Sequence, residues 1–183
     1  MFKHRALPLR ALTKPGRFGA TTIEPGVQFS IQHPVSIVQV LARKGSSKKF
    51  VEALSQLKAV TTMQAGPDQY FVQAADKAEG ALYAEIKKKF EGIGSVVDQS
   101  HGRVVITLSG AKSRAVLANG APVDFHPDQF AIGQSAQTQM AHIGVHITRT
   151  DANGFSLLVF RGFSESLWEW LCSQAAEYGY QIK

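Results

Sequence analysis

Residues 142–171, HIGVHITRTDANGFSLLVFRGFSESLWEWL, constrain the fold more than any other stretch. Ala141, Ile143, Val145 and Ile147 alternate with polar or small residues, and Phe155–Phe160 is a β-rich run, so strands are expected near Gln137–Thr148 and Phe155–Phe160. They pair across the turn from Asp151 to Gly154, where Asn153-Gly154 readily supplies positive φ. Ser164 then reads as the cap of a closing helix, with Phe163 before it and Trp168 at the fourth helical position in the arrangement of a hydrophobic staple. Leu167, Leu171, Ala175 and Tyr178 form its inward stripe.

The same alternation runs upstream. Val27–His33 and Val35–Arg43 read as strands separated by Pro34. Ser46 or Ser47 caps a helix whose Phe50, Val51, Leu54 and Leu57 recur at helical spacing. Gly66-Pro67-Asp68 is a turn before a short strand at Tyr70–Ala74. A helix at about Ala78 to Glu91 puts Leu82, Ile86 and Phe90 on one stripe and Lys87, Lys88 and Lys89 at its C-terminal end, where they complement the helix dipole. Ser95–Gln99 and Arg103–Leu108 read as a hairpin across Ser100-His101-Gly102, and Ser109 as the cap of a short helix closed by Gly120. Strands and helices in both halves give an α+β class, with antiparallel and mixed sheets covered by helices. Residues 27–183 are expected to form one domain of two packed halves, about 27–100 and 101–183.

Residues 1–26 form a different composition: three prolines and three glycines sit among Phe2, Leu7, Leu9, Leu12 and Phe18 with no helix or strand period. An extended N-terminal arm is expected. The prolines argue against the amphipathic helix of a mitochondrial transit peptide. The chain's net charge of +6 concentrates in this arm. Lys3, Arg5, Arg10, Lys14 and Arg17 stand in residues 1–19 without an acid, leaving 15 basic and 14 acidic side chains over residues 20–183. A body so nearly neutral disfavours an RNA- or DNA-binding domain, which needs a basic face to displace counterions. The Leu and Phe among the charges instead favour an arm that orders on an acidic partner surface, with Arg5, Arg10, Arg17 and Phe18 as contacts.

No apolar run approaches the about 20 residues that cross a bilayer, and the N-terminus lacks the apolar stretch of a secretory signal. One cysteine, Cys172, excludes an internal disulfide framework and fits a reducing compartment. A cytoplasmic location is expected.

The candidate chemical groups do not converge. His142 and His146 have a spacing that binds zinc on a helix, but on the expected strand they share one face without a third ligand. Gly92-Ile93-Gly94 follows a helix and precedes a strand, the reverse of a dinucleotide-binding turn. Cys172 lacks a neighbouring base and reads as a small buried side chain. Asp124, His126 and Asp128 read as loop-fixing hydrogen bonders. Trp168 and Trp170, two apart on a helix, cannot share one core, so Trp170 is expected near the surface as a partner anchor. No catalytic, cofactor-binding or metal-binding residue is expected on this chain.

Together with LSGAKSRAVLA (Leu108 to Ala118) and VDFHPDQF (Val123 to Phe130), the C-terminal segment resembles the gamma subunit of heterotetrameric sarcosine oxidase. The resemblance covers roughly residues 35–180. It implies a fold similar to the folate-binding aminomethyltransferase and a non-catalytic subunit beside alpha, beta and delta subunits. It also implies that FAD, FMN, NAD, tetrahydrofolate and zinc belong to those partners. The implied assembly oxidises sarcosine with oxygen to glycine, hydrogen peroxide and a one-carbon unit. Related N-methyl amino acid dehydrogenases contain similar small subunits. A stand-alone folate-binding module is the other reading, and Asp124 or Glu165 would supply its carboxylate.

Overall fold

A computed structural model describes residues 9–20, 24–75 and 78–183. In chain order the elements are β1 (Gly16–Phe18), β2 (Val27–Gln32), β3 (Val35–Ala42), α1 (Ser47–Ser55), β4 (Thr61–Gly66), β5 (Gln69–Ala75), α2 (Ala81–Lys89), β6 (Gly94–Asp98), β7 (Arg103–Ser109), α3 (Ser113–Ala118), β8 (Ser135–Met140), β9 (Ile143–Arg149), β10 (Phe155–Phe160), α4 (Ser164–Ala175) and β11 (Tyr180–Ile182). They sort into two compact units, one from His33–Arg103 and the other from the described residues among 9–32 with Val104–Lys183.

The first unit is an antiparallel sheet in the order β4-β5-β3-β6 with α1 and α2 packed on it. Alternation along β3 turns Val38 and Val40 toward Phe50 and Leu54 of α1 and toward Leu82 and Ile86 of α2, all within one buried cluster. Phe50 and Phe90 meet edge to face at 5.0 Å. Gly94 is dictated by proximity: a Cβ there would stand 2.8 Å from the Leu41 carbonyl oxygen and 3.1 Å from the Phe50 ring. Val51, expected on the inner stripe of α1, is 50% exposed.

The second unit is a mixed sheet in the order β1-β11-β2-β7-β10-β9-β8. β11 runs parallel to β2, while β1 and β11, β2 and β7, and β8, β9 and β10 pair antiparallel. Leu167, Trp168, Leu171 and Ala175 of α4 and Val116 and Leu117 of α3 close its core over Phe29, Ile106, Leu108, Val145, Ile147 and Leu157. Among the described residues, no helix is long and apolar enough to cross a membrane.

Several local expectations are corrected. Ser95–Gln99 and Arg103–Leu108 do not form a hairpin: β6 pairs with β3 and β7 with β2, in different sheets. Alternation assigns a strand's faces but not its neighbour, and here the intervening Ser100 is tied back to β3. Its hydroxyl accepts from the Ile37 amide at 2.9 Å and donates to the Ile37 carbonyl at 3.2 Å. The single strand expected over Gln137–Thr148 is two, β8 and β9, joined by a turn at Ala141 and His142 with φ of 50° and 66°. That two-residue left-handed turn suits the twist of a hairpin. It puts His142 at an exposed tip and buries His146 completely, so the two do not share a strand face.

The closing helix also starts differently. A 3₁₀ turn over Arg161–Phe163 precedes α4, and the Ser164 hydroxyl donates to the Arg161 carbonyl at 2.8 Å instead of capping. Phe163 is 56% exposed, so the hydrophobic staple is not made. Ser46 likewise makes no side-chain cap, and Ser109 ends β7. The nearby hydroxyls serve longer links, Ser47 to Asp68 at 2.7 Å and Ser113 to the Asn153 carbonyl at 2.8 Å. Gly154 closes the β9–β10 hairpin without a left-handed φ; a Cβ there would strike the Asp151 carboxylate.

Candidate functional site

The arm residues that are described lie along one edge of the second unit. Leu9, at φ 61°, is 6% exposed and belongs to that unit's core cluster. The amides of Leu12 and Thr13 donate to its carbonyl at 2.8 and 3.0 Å, and the Thr13 hydroxyl donates there too, at 3.1 Å. The chain then enters β1, where Gly16, Arg17 and Phe18 stand opposite Ile182, Gln181 and Tyr180. Past it, Gly19 at φ 71° brings the backbone so close to Ala176 that a Cβ would stand 2.4 Å from the Ala176 carbonyl oxygen. The Ala20 amide donates to that oxygen at 2.8 Å.

Phe18 begins a line of rings that leads into the core. It stacks on Tyr180 at 5.4 Å, Tyr180 meets Phe29 edge to face at 5.6 Å, and Phe29 meets Trp168 at 5.5 Å. Beside this line lies an open groove of about 400 Å³ whose apolar lining includes Leu12, Phe18, Trp168, Cys172 and Tyr180, with Lys14 and Glu169 among its other residues. Leu12 and Phe18 are each 37% exposed along it. A smaller, more polar hollow of about 260 Å³ brings Arg10 beside Arg161 and Glu165.

The candidate contact residues thus separate. Arg10 and Phe18 line these two hollows at the arm edge, and Arg17 lies on the same edge, its guanidinium against Glu24 at 3.2 and 3.4 Å. Both partners of that pair are exposed, so it contributes little to stability. Trp170 is apart from them: it is half-buried and packs over Gly120, where a Cβ would come within 2.3 Å of the indole. Arg5 lies outside the described residues. Leu9, Leu12 and Tyr180 complete the edge and were not singled out from sequence. The one available signal was the apolar character of the arm.

The remaining groups hold structure. Burial pushes the Cys172 thiol up to about 11, a hydrogen bond with Tyr180 notwithstanding, so it is a protonated thiol near neutral pH. Burial chiefly, with Cys172 beside it, carries the Tyr180 phenol up to about 12. Asp124 accepts from the His126 amide at 2.8 Å, and the His126 ring accepts from the Asp128 amide at 3.4 Å, fixing an exposed loop. Asp124 and Glu165 are both exposed, unlike a carboxylate buried in an apolar pterin pocket. Among the described residues, no group of three His, Cys, Asp or Glu side chains is placed to hold a metal ion.

The sarcosine oxidase, gamma subunit family matches residues 46–177. The sarcosine oxidase subunit gamma of Corynebacterium sp. (strain U-96) is 28% identical over 133 residues, 69% of this chain and 62% of that protein. Its counterpart in strain P-1 is 32% identical over 114 residues, 62% of this chain and 55% of that protein. The Arthrobacter sp. protein is 29% identical over 135 residues, 73% and 66% of the two chains. The chain therefore spans a little over half to two thirds of the length of these relatives. In fold, it is similar to a chain of the heterotetrameric sarcosine oxidase from Corynebacterium sp. U-96, with a TM-score of 0.75, 22% identity and coverage of 85% and 87%. The glycine cleavage system aminomethyltransferase T from Bartonella henselae gives a TM-score of 0.61 at 19% identity, covering 84% of this chain and 50% of that one. The family match runs through most of the chain, from α1 to the end of α4, and places it in the sarcosine oxidase, gamma subunit family.

Proposed function

We propose that this chain is the non-catalytic small subunit of a heterotetrameric sarcosine oxidase, assembled with alpha, beta and delta subunits in the cytoplasm. The assembly oxidatively demethylates sarcosine, reducing oxygen to hydrogen peroxide and releasing glycine and a one-carbon unit, as formaldehyde or as 5,10-methylenetetrahydrofolate. FAD, FMN, NAD, tetrahydrofolate and zinc reside on the partner subunits. The observation that carries this reading is the family match over residues 46–177, which takes in most of both compact units.

On this reading the arm edge is one of the chain's contacts with a larger subunit. Arg5, Arg10 and Arg17 meet an acidic surface while Leu12 and Phe18 supply apolar area, and the exposed side of Trp170 makes a second contact. The exposed Leu12 and Phe18 support this, because arm residues that already lie ordered on their own unit lose less conformational entropy on binding.

The test is co-expression with the other three subunits, followed by size exclusion with flavin absorbance. Stoichiometric elution of this chain with a yellow complex that consumes oxygen on sarcosine is the expected result. A monomer that ignores those partners would overturn it, and an arm deletion that leaves assembly intact would overturn the arm contact.

A further inference from the structure

The four-stranded sheet of the first unit ends on β6, and among the described residues no strand pairs with the outer edge of β6. The ladder fixes which backbone groups face outward. The Gln99 amide donates to Ile37 and the Arg43 amide to Ile93, so the residues of β6 opposite Gln39 and Leu41, namely Val97 and Ser95, point their amides and carbonyls at β3. Val96 and Asp98 point theirs away from the sheet.

Edge strands are ordinarily blunted by a bulge, a proline or a charge set along them. The opposite edge, β4, follows this rule with a register break between Gln64 and Gly66. The strand β6, Gly-Ser-Val-Val-Asp, is regular and uncharged until its last residue, and its Val97 is 44% exposed. Alongside runs a groove of about 580 Å³ between α2 and β6, floored by Tyr83, Ala84, Gly94 and Val96. Lys87 and Lys88 stand on its rim with the Lys87 ammonium 5.5 Å from the centre of the Tyr83 ring, and Glu91 lies at one end.

We infer that this edge and groove dock an extended acidic segment of another subunit of the assembly, which adds to the sheet as a fifth strand. The inference rests on the subunit reading above and adds a place and a chemistry to it. The main chain of the segment satisfies Val96 and Asp98, alternate apolar side chains enter the groove, and its carboxylates meet Lys87 and Lys88. A second copy of this chain fits poorly, since edge-to-edge pairing of two β6 strands brings two lysine-bearing helices to one seam.

The test uses the full chain, alone and co-expressed with the other subunits, read by hydrogen exchange and by co-elution. In the complex, the amides of Val96 and Asp98 are expected to slow markedly relative to the isolated chain. The double variant Lys87→Glu/Lys88→Glu, altered at two exposed positions, is expected to keep its circular dichroism and lose about tenfold in affinity for the complex. If the wild-type chain enters no complex, the subunit reading fails and this inference with it. If it enters but the double variant enters equally well and the two amides stay fast, only the inference fails. Protection of both amides in the isolated chain, rising with its concentration, would overturn the inference in favour of self-pairing.

Discussion

Arg149 is 5% exposed, and its guanidinium donates to four carbonyls: Phe130 at 2.7 Å, Asp151 and Ala152 at 3.1 Å, and Pro127 at 3.3 Å. It ties the loop after α3 to the β9–β10 turn, and a planar fork is needed to reach all four. Replacing Arg149 by Met strands the buried Phe130 carbonyl and breaks the other three links, of which the Ala152 carbonyl keeps a second donor in Arg114, and a loss of roughly 3 kcal/mol is expected in urea unfolding; Arg149→Lys, with one point of donation, recovers only part of it. Gly120 shows a second dependence. Its Cβ position is already filled by the Trp170 ring and approached by Met140, so Gly120→Ala is expected to cost about 1–3 kcal/mol and to shift tryptophan emission. Neither site was legible in the chain. A strand-end arginine reads as solvated and a glycine after a short helix reads as its stop, because both demands come from residues distant in sequence. Cys172, expected as a small buried side chain, is half-buried on the lining of the open groove. Its thiol is raised from 9.0 to about 11, chiefly by burial, so the folded state holds this proton more tightly than the unfolded chain. The associated stability is present below pH 9 and is lost as pH climbs toward 11. A chromogenic disulfide reagent at pH 8 is therefore expected to label Cys172 slowly until denaturant is added, and Cys172→Ala to flatten the fall in stability between pH 9 and 11.

Among the elements, those with a dense local signal were read correctly and those defined by distant pairing were not. The stripe of Leu82, Ile86 and Phe90 placed α2, and Leu167, Leu171 and Ala175 placed α4, because helical periodicity is a property of the segment itself; Tyr178, expected on the same stripe, lies past the helix end in a 3₁₀ turn. The turn at Ala141 and His142 escaped because neither residue is a customary turn former, and its left-handed geometry is imposed by the pairing of β8 with β9. Strand β1 escaped for a related reason: three residues bounded by proline and glycine have no period to detect, and only β11 makes them a strand. The arm's attachment accordingly depends on Leu9, whose burial anchors the turn that leads into β1. Leu9→Ala removes apolar contact from the core, and a loss of about 2–3 kcal/mol is expected. The more specific outcome is local. Trypsin is expected to cut after Arg10 and Arg17 faster in Leu9→Ala than in the wild type, while the rest of the second unit stays intact; equal rates would show that β1 holds the arm without Leu9.

At the scale of the whole molecule, charge is divided more sharply than mass. Residues 1–19 carry five basic side chains and no acid, and residues 20–183 carry a balance of +1. Long-range attraction to a polyanion sums over all charges within roughly a Debye length, about 10 Å at 0.1 M salt, so five charges close in sequence act together while interspersed charges of both signs cancel. The arm should then account for nearly all retention of the chain on a cation exchanger at pH 7. Arg10, Lys14 and Arg17 are exposed, so replacing them with Gln, along with Lys3 and Arg5, is expected to leave the melting temperature almost unchanged. The variant is expected to elute at much lower salt. A variant that elutes with the wild type would instead place the effective positive patch on the folded body, where Lys87, Lys88 and Lys89 end α2. The same pair of proteins separates the functional readings. Loss of polyanion retention with complex formation preserved would leave the arm's charges without a part in assembly. Loss of both, with fold and melting unchanged, is the result expected of an arm whose cations meet an acidic partner.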